Sequence, residues 1–423
     1  MRILMLSKAC IVGAYQRKLE EIARFPDIEL MAVVPPSWRD GGRLIRLERA
    51  HTDGYELIIE PIAFNGNFHL HFYPRLGRRL RAFAPDIVHI DEEPYNFATF
   101  HALRLAKKFG VSTVWFTWQN LNRRYPLPFR LIERYNLRHA DYAIAGSVGA
   151  ATVWREKGYA GPLVTIPQFG VDPDVFSPNP ARRDLSRGFV IGYVGRLVPE
   201  KGVDLLIEAV AGMEGSWRLV VLGEGAERGC LEELTRRMGL SDRVIFEEWI
   251  YSLRLPAFYR GLDALVLPSR SQANWVEQFG RVLIEAMACG VPVIGSDCGE
   301  IPQVVGDAGL IFPEGDVGAL HERLVRLRRD VDLWESLSRR GRERVLANFT
   351  QEQIAAQTVM VYRKMLEGKN SETRGAGGCV SNGLGKTSEA NEMRSQAQKL
   401  SKSAVLGEHK LGGDLRGLGS LLK

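Results

Sequence analysis

The sequence predicts two α/β domains, each a doubly wound parallel sheet of Rossmann type with helices on both faces, standing across a cleft. Three observations predict it. Short, β-branched apolar runs alternate with longer amphipathic stretches. The alternation ends and restarts once, near the middle of the chain. Between the two series, residues 167–180 read P-Q-F-G-V-D-P-D-V-F-S-P-N-P, with four prolines in fourteen positions. Such a stretch holds neither a helix nor a central strand, so it is a linker.

In the first series, strands are predicted at 3–6, 29–34, 87–90, 113–117, 142–145 and 163–166. Helical patterns lie at 16–24, 76–83 and 98–109. In the second, strands at 189–195, 218–222, 244–246, 264–267, 293–295 and 309–312 alternate with helices at 202–211, 229–238, 253–259, 282–289 and 317–328. Continuous rather than alternating apolar strands belong to parallel sheets buried on both faces. The domains are therefore 1–180 and 181–368, a division that a chain of 423 residues makes natural. Residues 369–423 contain ten of the 43 glycines and no aromatic residue, a composition that predicts a disordered tail.

The net charge of +6 divides into +5 over 1–180, −3 over 181–368 and +4 over 369–423. No domain carries a concentrated basic stripe, which excludes a dedicated nucleic-acid binder. A weakly basic front domain fits an anionic substrate or a membrane surface. The cysteines, Cys10, Cys230, Cys289, Cys298 and Cys379, are scattered and form no C-x-x-C pair, which predicts reduced thiols and no zinc site. The apolar run before Ser7 and Lys8 is too short for a signal peptide, and no stretch is long enough to span a membrane. A cytoplasmic location is the expectation.

Two constellations carry chemistry. In E-Q-F-G-R-V-L-I-E, Glu277 falls in a loop after the strand at 264–267 and Glu285 inside the following helix. Eight residues of helix rise about 12 Å, a spacing that suits one long polar ligand lying over the helix N-terminus. Glu285 sits in an otherwise apolar run and needs a partner, such as a pair of ribose hydroxyls, unless it is a solvated face residue. In G-Y-V-G-R-L-V-P-E-K-G, Gly195 ends a strand, and Arg196 and Lys201 precede a helix. Two cations at the carboxyl end of a strand make a site for a diphosphate; ordinary solvated side chains are the alternative. Neither G-x-G-x-x-G nor G-x-x-x-x-G-K-[ST] is present.

Taken together, Glu277 and Glu285 with seven residues between them, Gly195-Arg196 with Glu200-Lys201-Gly202, Gly223-Glu224-Gly225 and Gly299-Glu300-Ile301-Pro302 resemble the retaining glycosyltransferases of family 4 and their E-x7-E signature. The resemblance spans residues 1–366 and is strongest over 189–316. It implies a GT-B fold whose last helix, 351–366, returns to the front domain. The implied reaction takes a sugar from a UDP- or GDP-linked donor to a glycan, lipid or small-molecule acceptor, with no metal. Position by position, Arg196 and Lys201 would neutralise the diphosphate and Glu285 would hold the ribose. Glu277 with the backbone of Phe279 and Gly280 would hold the sugar. Gly13, Gly195, Glu224, Trp249 and Ile250 would complete the donor site.

The front domain departs from the family. Only Gly13 remains of a common Gly-Gly pair, with Lys8 nearby, and V-H-I-D-E-E-P replaces H-x-E-P, so Asp91 or Glu92 takes the position of a histidine. Asp91 and Glu92, with Glu93 beside them, become acceptor-side candidates, unless the run is a solvated acidic loop. His89 would point into the sheet. Gln119 and Asn120, after Trp118, end the next strand at the same edge and add two amides. Arg75, Arg78, Arg79 and Arg81, and later Arg123, Arg124 and Arg130, make two basic-apolar surfaces that could rest on anionic lipid. Two other readings are open: a nucleotide-sugar epimerase of the same shape, and a binding protein that has lost catalysis.

Overall fold

The computed structural model describes residues 1–40, 43–178, 188–248 and 254–376. Seven strands build the front sheet: β1 (Arg2–Leu6), β2 (Glu29–Val34), β5 (Glu56–Ile59), β6 (Ile87–Ile90), β7 (Ser112–Thr117), β8 (Tyr142–Ala145) and β9 (Leu163–Thr165). They are parallel, in the order β5-β2-β1-β6-β7-β8-β9. A small antiparallel hairpin, β3 (Ser37–Asp40) and β4 (Arg43–Arg46), stands apart from it. The back sheet is parallel too, in the order β12-β11-β10-β13-β14-β15. Its strands are β10 (Phe189–Val194), β11 (Trp217–Leu222), β12 (Val244–Glu247), β13 (Ala264–Leu267), β14 (Val293–Ser296) and β15 (Leu310–Phe312). These are two doubly wound sheets, as predicted. Each changes direction beside its first strand, the position where such folds bind ligands.

The front-lobe helices are α1 (Arg17–Ala23), α2 (Leu76–Phe83), α3 (Phe97–Lys108), α4 (Phe129–His139) and α5 (Val148–Glu156). The back lobe carries α6 (Val203–Ala211), α7 (Arg228–Arg237), α8 (Leu255–Arg260), α9 (Arg281–Ala288), α10 (Ile301–Val305), α11 (Val317–Arg329) and α12 (Val331–Asn348), and α13 (Gln351–Ala376) closes the described chain. α13 packs Ile354, Ala355, Val359, Tyr362 and Met365 against Ile3, Met5, Ile87 and Val114 of the front sheet. On the opposite face, Leu76, Leu80, Phe83 and Leu103 cover Trp115, Val88 and Leu4. α13 runs on to Ala376 where the composition predicted a tail from 369. The extra residues hold Ser, Glu, Asn and Lys but no proline, and paired glycines come only at Gly377-Gly378. Residues 377–423 lie outside the described residues.

The chain passes between the lobes twice, and the two passages are joined. Val171 N–H donates to Phe349 O (2.9 Å) and Gln351 N–H to Val171 O (3.0 Å). Gln351 Nε2 donates to Gly170 O (2.9 Å), while Gly170 N–H donates to Gln351 Oε1 (3.2 Å). Gly170 is required here, since a Cβ would stand 2.4 Å from Phe349 O. Among the described residues no helix is long and apolar enough to cross a membrane.

Candidate active site

At the back lobe's ligand edge, the loops after β10 and β11 lie against each other. Gly195 N–H donates to Leu222 O (3.1 Å) and Leu197 N–H to Glu224 O (2.8 Å). A Cβ on Gly223 would stand 1.9 Å from Gly195 O, so only glycine permits this approach. Glu224 engages through its backbone, and its side chain is exposed. The chain then turns through Pro199–Lys201 into Gly202, whose φ of 64° and 2.1 Å from an added Cβ to Pro268 O set it against the end of β13.

That turn delivers Lys201 to Glu277. Lys201 Nζ lies 2.6 Å from Glu277 Oε2, and Ser269 Oγ donates to the same oxygen at 2.9 Å. The ammonium also stands 4.8 Å above the Trp275 ring. Glu277 is only 7% exposed, and its backbone oxygen accepts from Glu300 N–H (3.2 Å) and from Asn120 Nδ2 of the front lobe (3.1 Å). Arg196, by contrast, is 64% exposed on its side chain, which among the described residues pairs with Glu200 at 3.4 Å. The loop thus carries one cation held in an ion pair, Lys201, and one with a largely exposed side chain, Arg196.

Phe279 does not present its ring to open solvent. The ring packs between Trp118 (centroids 5.4 Å) and Phe349 (5.8 Å), which joins the lobes and leaves its backbone as the part able to meet a ligand. Gly280 caps α9 with φ 78°, and no side chain caps the helix. This start corrects the expected 12 Å of helix between the two glutamates. Helix begins only at Arg281, so about 6 Å of helical rise separates Arg281 from Glu285, and Glu277 belongs to the loop. Glu285 is 4% exposed and not a solvated face residue. It accepts from Tyr259 Oη on Oε2 (2.7 Å) and from Arg281 Nε on Oε1 (2.8 Å). Trp249 and Ile250 lie outside the described residues.

On the front edge, the acidic run is buried rather than solvated, because all three carboxylates turn inward onto partners. Asp91 accepts from Ser7 Oγ (2.5 Å) and Gln168 Nε2 (2.9 Å), and burial raises its pKa. Glu92 meets Lys8 Nζ (3.5 Å) and His71 Nε2 (3.4 Å). Burial opposes its charge, but Lys8 and His71 outweigh burial and hold its pKa at about 2. Glu93 accepts from Thr117 Oγ1 (2.6 Å) and Trp118 N–H (2.8 Å), yet burial pushes it up to about 7. Gln119 donates from Nε2 to Leu121 O (2.9 Å), and its buried Oε1 has no partner among the described residues. Gly13 sits in a tight turn whose N–H donates to Glu48 Oε2 (2.8 Å), so that donor is already engaged. His89 bonds Tyr362 of α13 through Nδ1 (2.7 Å), and burial holds its pKa well below the usual range.

The structure thus joins Lys201, Glu277 and Asn120 directly. Glu285 stands in a second group with Arg281 and Tyr259, and Asp91 and Glu92 in a third. Sequence reasoning missed Tyr15, Ser269, Tyr259, Trp275 and Arg281 as site residues. For Arg281 a signal was there, since four residues from Glu285 on one helix is ion-pair spacing. For the others the contact exists only through the fold.

Two family profiles match the chain: "Glycosyltransferase Family 4" over residues 36–198 and "Glycosyl transferases group 1" over residues 181–344. A 2-deoxystreptamine glucosyltransferase of Streptomyces kanamyceticus is 30% identical over 289 residues, 64% of this chain and 71% of that one. A GDP-mannose-dependent alpha-(1-6)-phosphatidylinositol monomannoside mannosyltransferase of Mycobacterium tuberculosis is 32% identical over 214 residues, 47% of this chain and 55% of that one. Among solved structures, a sucrose-phosphate synthase from Thermosynechococcus elongatus superposes with a TM-score of 0.69 at 24% identity, covering 87% of this chain and all of its own. Anabaena HepE in complex with UDP does so with 0.67 at 19%, covering 86% and 100%.

Proposed function

Because the chain belongs to the family 4 glycosyltransferases, with a GT-B fold, we propose that it transfers a sugar from a UDP- or GDP-linked donor with retention of anomeric configuration. In this reading two cations stand in for a metal ion. The observation that carries the reading is the partly buried Lys201–Glu277 pair at 2.6 Å, set where β10 and β13 end, with the exposed Arg196 five residues earlier in the same loop. As the bond to the sugar breaks, negative charge grows on the β-phosphate, and fixed cations meet it without reorganising. Lys201 and Arg196 supply that charge, and the N-terminus of α9 adds its dipole. Glu277, held by Lys201 and Ser269, would accept hydrogen bonds from the donor sugar. Glu285 would hold the ribose, with Gly13, Gly195, Glu224 and the backbone of Phe279 and Gly280 around the donor.

In the same proposal, residues 1–180 bind the acceptor, a glycan or a lipid-linked molecule. Gln119, with its unpartnered carbonyl, is the first contact, and Asn120, Asp91 and Glu92 line the same edge. The donor nucleotide is open to both choices: the mycobacterial relative is named for GDP-mannose and HepE was solved with UDP. A thermal-shift series with UDP, GDP and their sugars tests the reading, since a ligand of the folded state raises the midpoint. Glu285→Gln is expected to weaken nucleoside diphosphate binding about tenfold while leaving sugar preference in place. Unchanged affinity would remove Glu285 from the ribose site.

A location on the cytoplasmic face of a membrane belongs to the same proposal. α2 and α3 contain no acidic residue, and the one in α4, Glu133, is buried on Lys157 at 2.5 Å. Their exposed residues include Arg75 at the start of α2, Arg78, Arg81, Arg104, Lys108, Arg130, Arg134 and Arg138, and Leu127 and Leu131 protrude at 60% and 55% exposure. Basic charge with protruding leucines suits anionic lipid. Cosedimentation with phosphatidylglycerol vesicles and not with pure phosphatidylcholine is the expected result; equal pelleting with neither would remove this element.

A further inference from the structure

Arg281 begins α9 one helical turn before Glu285, so the two side chains share a face. Its Nε donates to Glu285 Oε1 at 2.8 Å, and its Nη1 donates to the hydroxyl of Tyr15, a front-lobe residue 266 positions away. The guanidinium also lies 5.0 Å from the Tyr15 ring centre. That ring is stacked on Phe169 with centroids 4.2 Å apart and planes 11° from parallel, so it forms a fixed shelf. Between these groups opens a cavity of about 360 Å³, lined by Tyr15, Arg49, Leu255, Arg281 and Glu285 among others.

Glu285 has two partners inside the protein, and they differ in what a ligand can reach. Tyr259 is fully buried and does not line the cavity. Arg281 lines it and keeps 38% of its side chain exposed. A ribose diol approaching Glu285 through the cavity therefore meets Arg281. A guanidinium that leaves a carboxylate needs another anion, and the next anion along a nucleoside diphosphate is its phosphate, which accepts two parallel N–H bonds from arginine. Of the two other arginines that line the cavity, Arg17 is committed to Glu20, Glu21 and Asp172, and Arg49 is exposed.

We propose that Arg281 is a further phosphate-binding cation of the donor site, bonded to Tyr15 and Glu285 as described above and transferred to the nucleoside diphosphate when it binds. Tyr15 then loses its partner on the back lobe, so donor occupancy is reported to the front lobe through one hydroxyl. The inference rests on the reading of Glu285 as the ribose ligand and extends it to a residue outside the two-glutamate and two-cation set.

The test measures binding of UDP, GDP, uridine and guanosine to the full chain by calorimetry, with the nucleosides read by competition against the diphosphate. For the diphosphate that binds, Arg281→Leu is expected to lower affinity about 10- to 100-fold, the scale of a charged hydrogen-bonded contact. Nucleoside affinity should change less than about threefold, because no phosphate is there to lose. Arg281→Lys should recover part of the loss. Tyr15→Phe, which deletes only the competing oxygen, should raise diphosphate affinity about two- to fivefold. Equal losses for nucleoside and diphosphate would overturn the proposal, since Arg281 would then act only by orienting Glu285. So would unchanged diphosphate affinity in Arg281→Leu. A wild-type chain that binds neither diphosphate, or one in which Glu285→Gln costs nothing, overturns the donor-site reading itself and this proposal with it.

Discussion

Lys201→Ala is expected to lower sugar transfer by on the order of 10²-fold or more, the scale of losing one preorganised electrostatic contact to a developing oxyanion. Two effects add. The leaving diphosphate loses a cation that is held at 2.6 Å from Glu277 and needs no reorganisation. Glu277, 7% exposed, keeps only Ser269 as a side-chain donor. An unpaired buried carboxylate either shifts its pKa or moves, and breaking such a pair costs about 3–5 kcal/mol when no water replaces the partner. Arg196→Ala, by contrast, removes an exposed side chain that pairs, among the described residues, with Glu200 at 3.4 Å. It should cut turnover while leaving the melting midpoint within about a degree or two. The pair of variants separates chemistry from folding. Near wild-type turnover in both would sink the site.

The second large effect is on stability against pH, and it comes from two adjacent carboxylates shifted in opposite directions. Glu92 is held at about 2 in the folded chain, below its unfolded value. Its contribution is complete above about pH 4.5 and is lost as pH falls through 2. Glu93 is pushed up to about 7, above its unfolded value. The folded chain therefore holds its proton longer, and stability present below about pH 4.5 is lost as pH rises through 7. Each shift corresponds to about 3 kcal/mol at full burial, as an upper bound. Asp91, also raised by burial, acts in the same direction as Glu93. Denaturant unfolding at pH 5 and pH 8 should show Glu93→Gln gaining on wild type as pH rises. The glutamine carries no charge to bury and keeps an oxygen for Trp118 N–H. Parallel stability curves for the two chains would show that Glu93 does not titrate in that window.

Much of the fold was legible in the sequence because parallel strands are buried on both faces and read as unbroken apolar runs. The strand at 29–34 and the helix at 76–83 fall where the pattern put them. β5 was not legible, since Glu56–Ile59 is a half-buried edge strand flanked by charge. Nor was α4, where Pro126 and Pro128 precede an arginine-rich run, or α12, whose charged surface hides a narrow stripe of Leu337, Gly341 and Val345. In the site, Lys201 and Glu277 were legible because each follows its strand within a short loop at the sheet's ligand edge. The partners of Glu92 were not. Lys8 lies 84 positions away and meets Glu92 through the pairing of β1 with β6, while His71 belongs to a loop with no pattern. Whether a carboxylate in an acidic run faces water or a buried cation depends on that tertiary pairing.

The two passages between the lobes have a mechanical consequence. A single covalent strand would let the lobes drift apart or twist freely. Here two strands cross side by side, clipped by the hydrogen bonds of Gly170, Val171, Phe349 and Gln351. Such a joint acts as a hinge with one easy axis, running along the paired crossings. Motion about it would leave Val171 and Gln351 bonded and part contacts that join the lobes elsewhere. The bonds that join the lobes across the cleft include those from Asn120 to Glu277 O, from Gln278 to Trp118 O, from Arg123 to Asn274 O and from Gly149 N–H to Glu300. Opening the cleft and releasing Glu277 from the front lobe are then one movement.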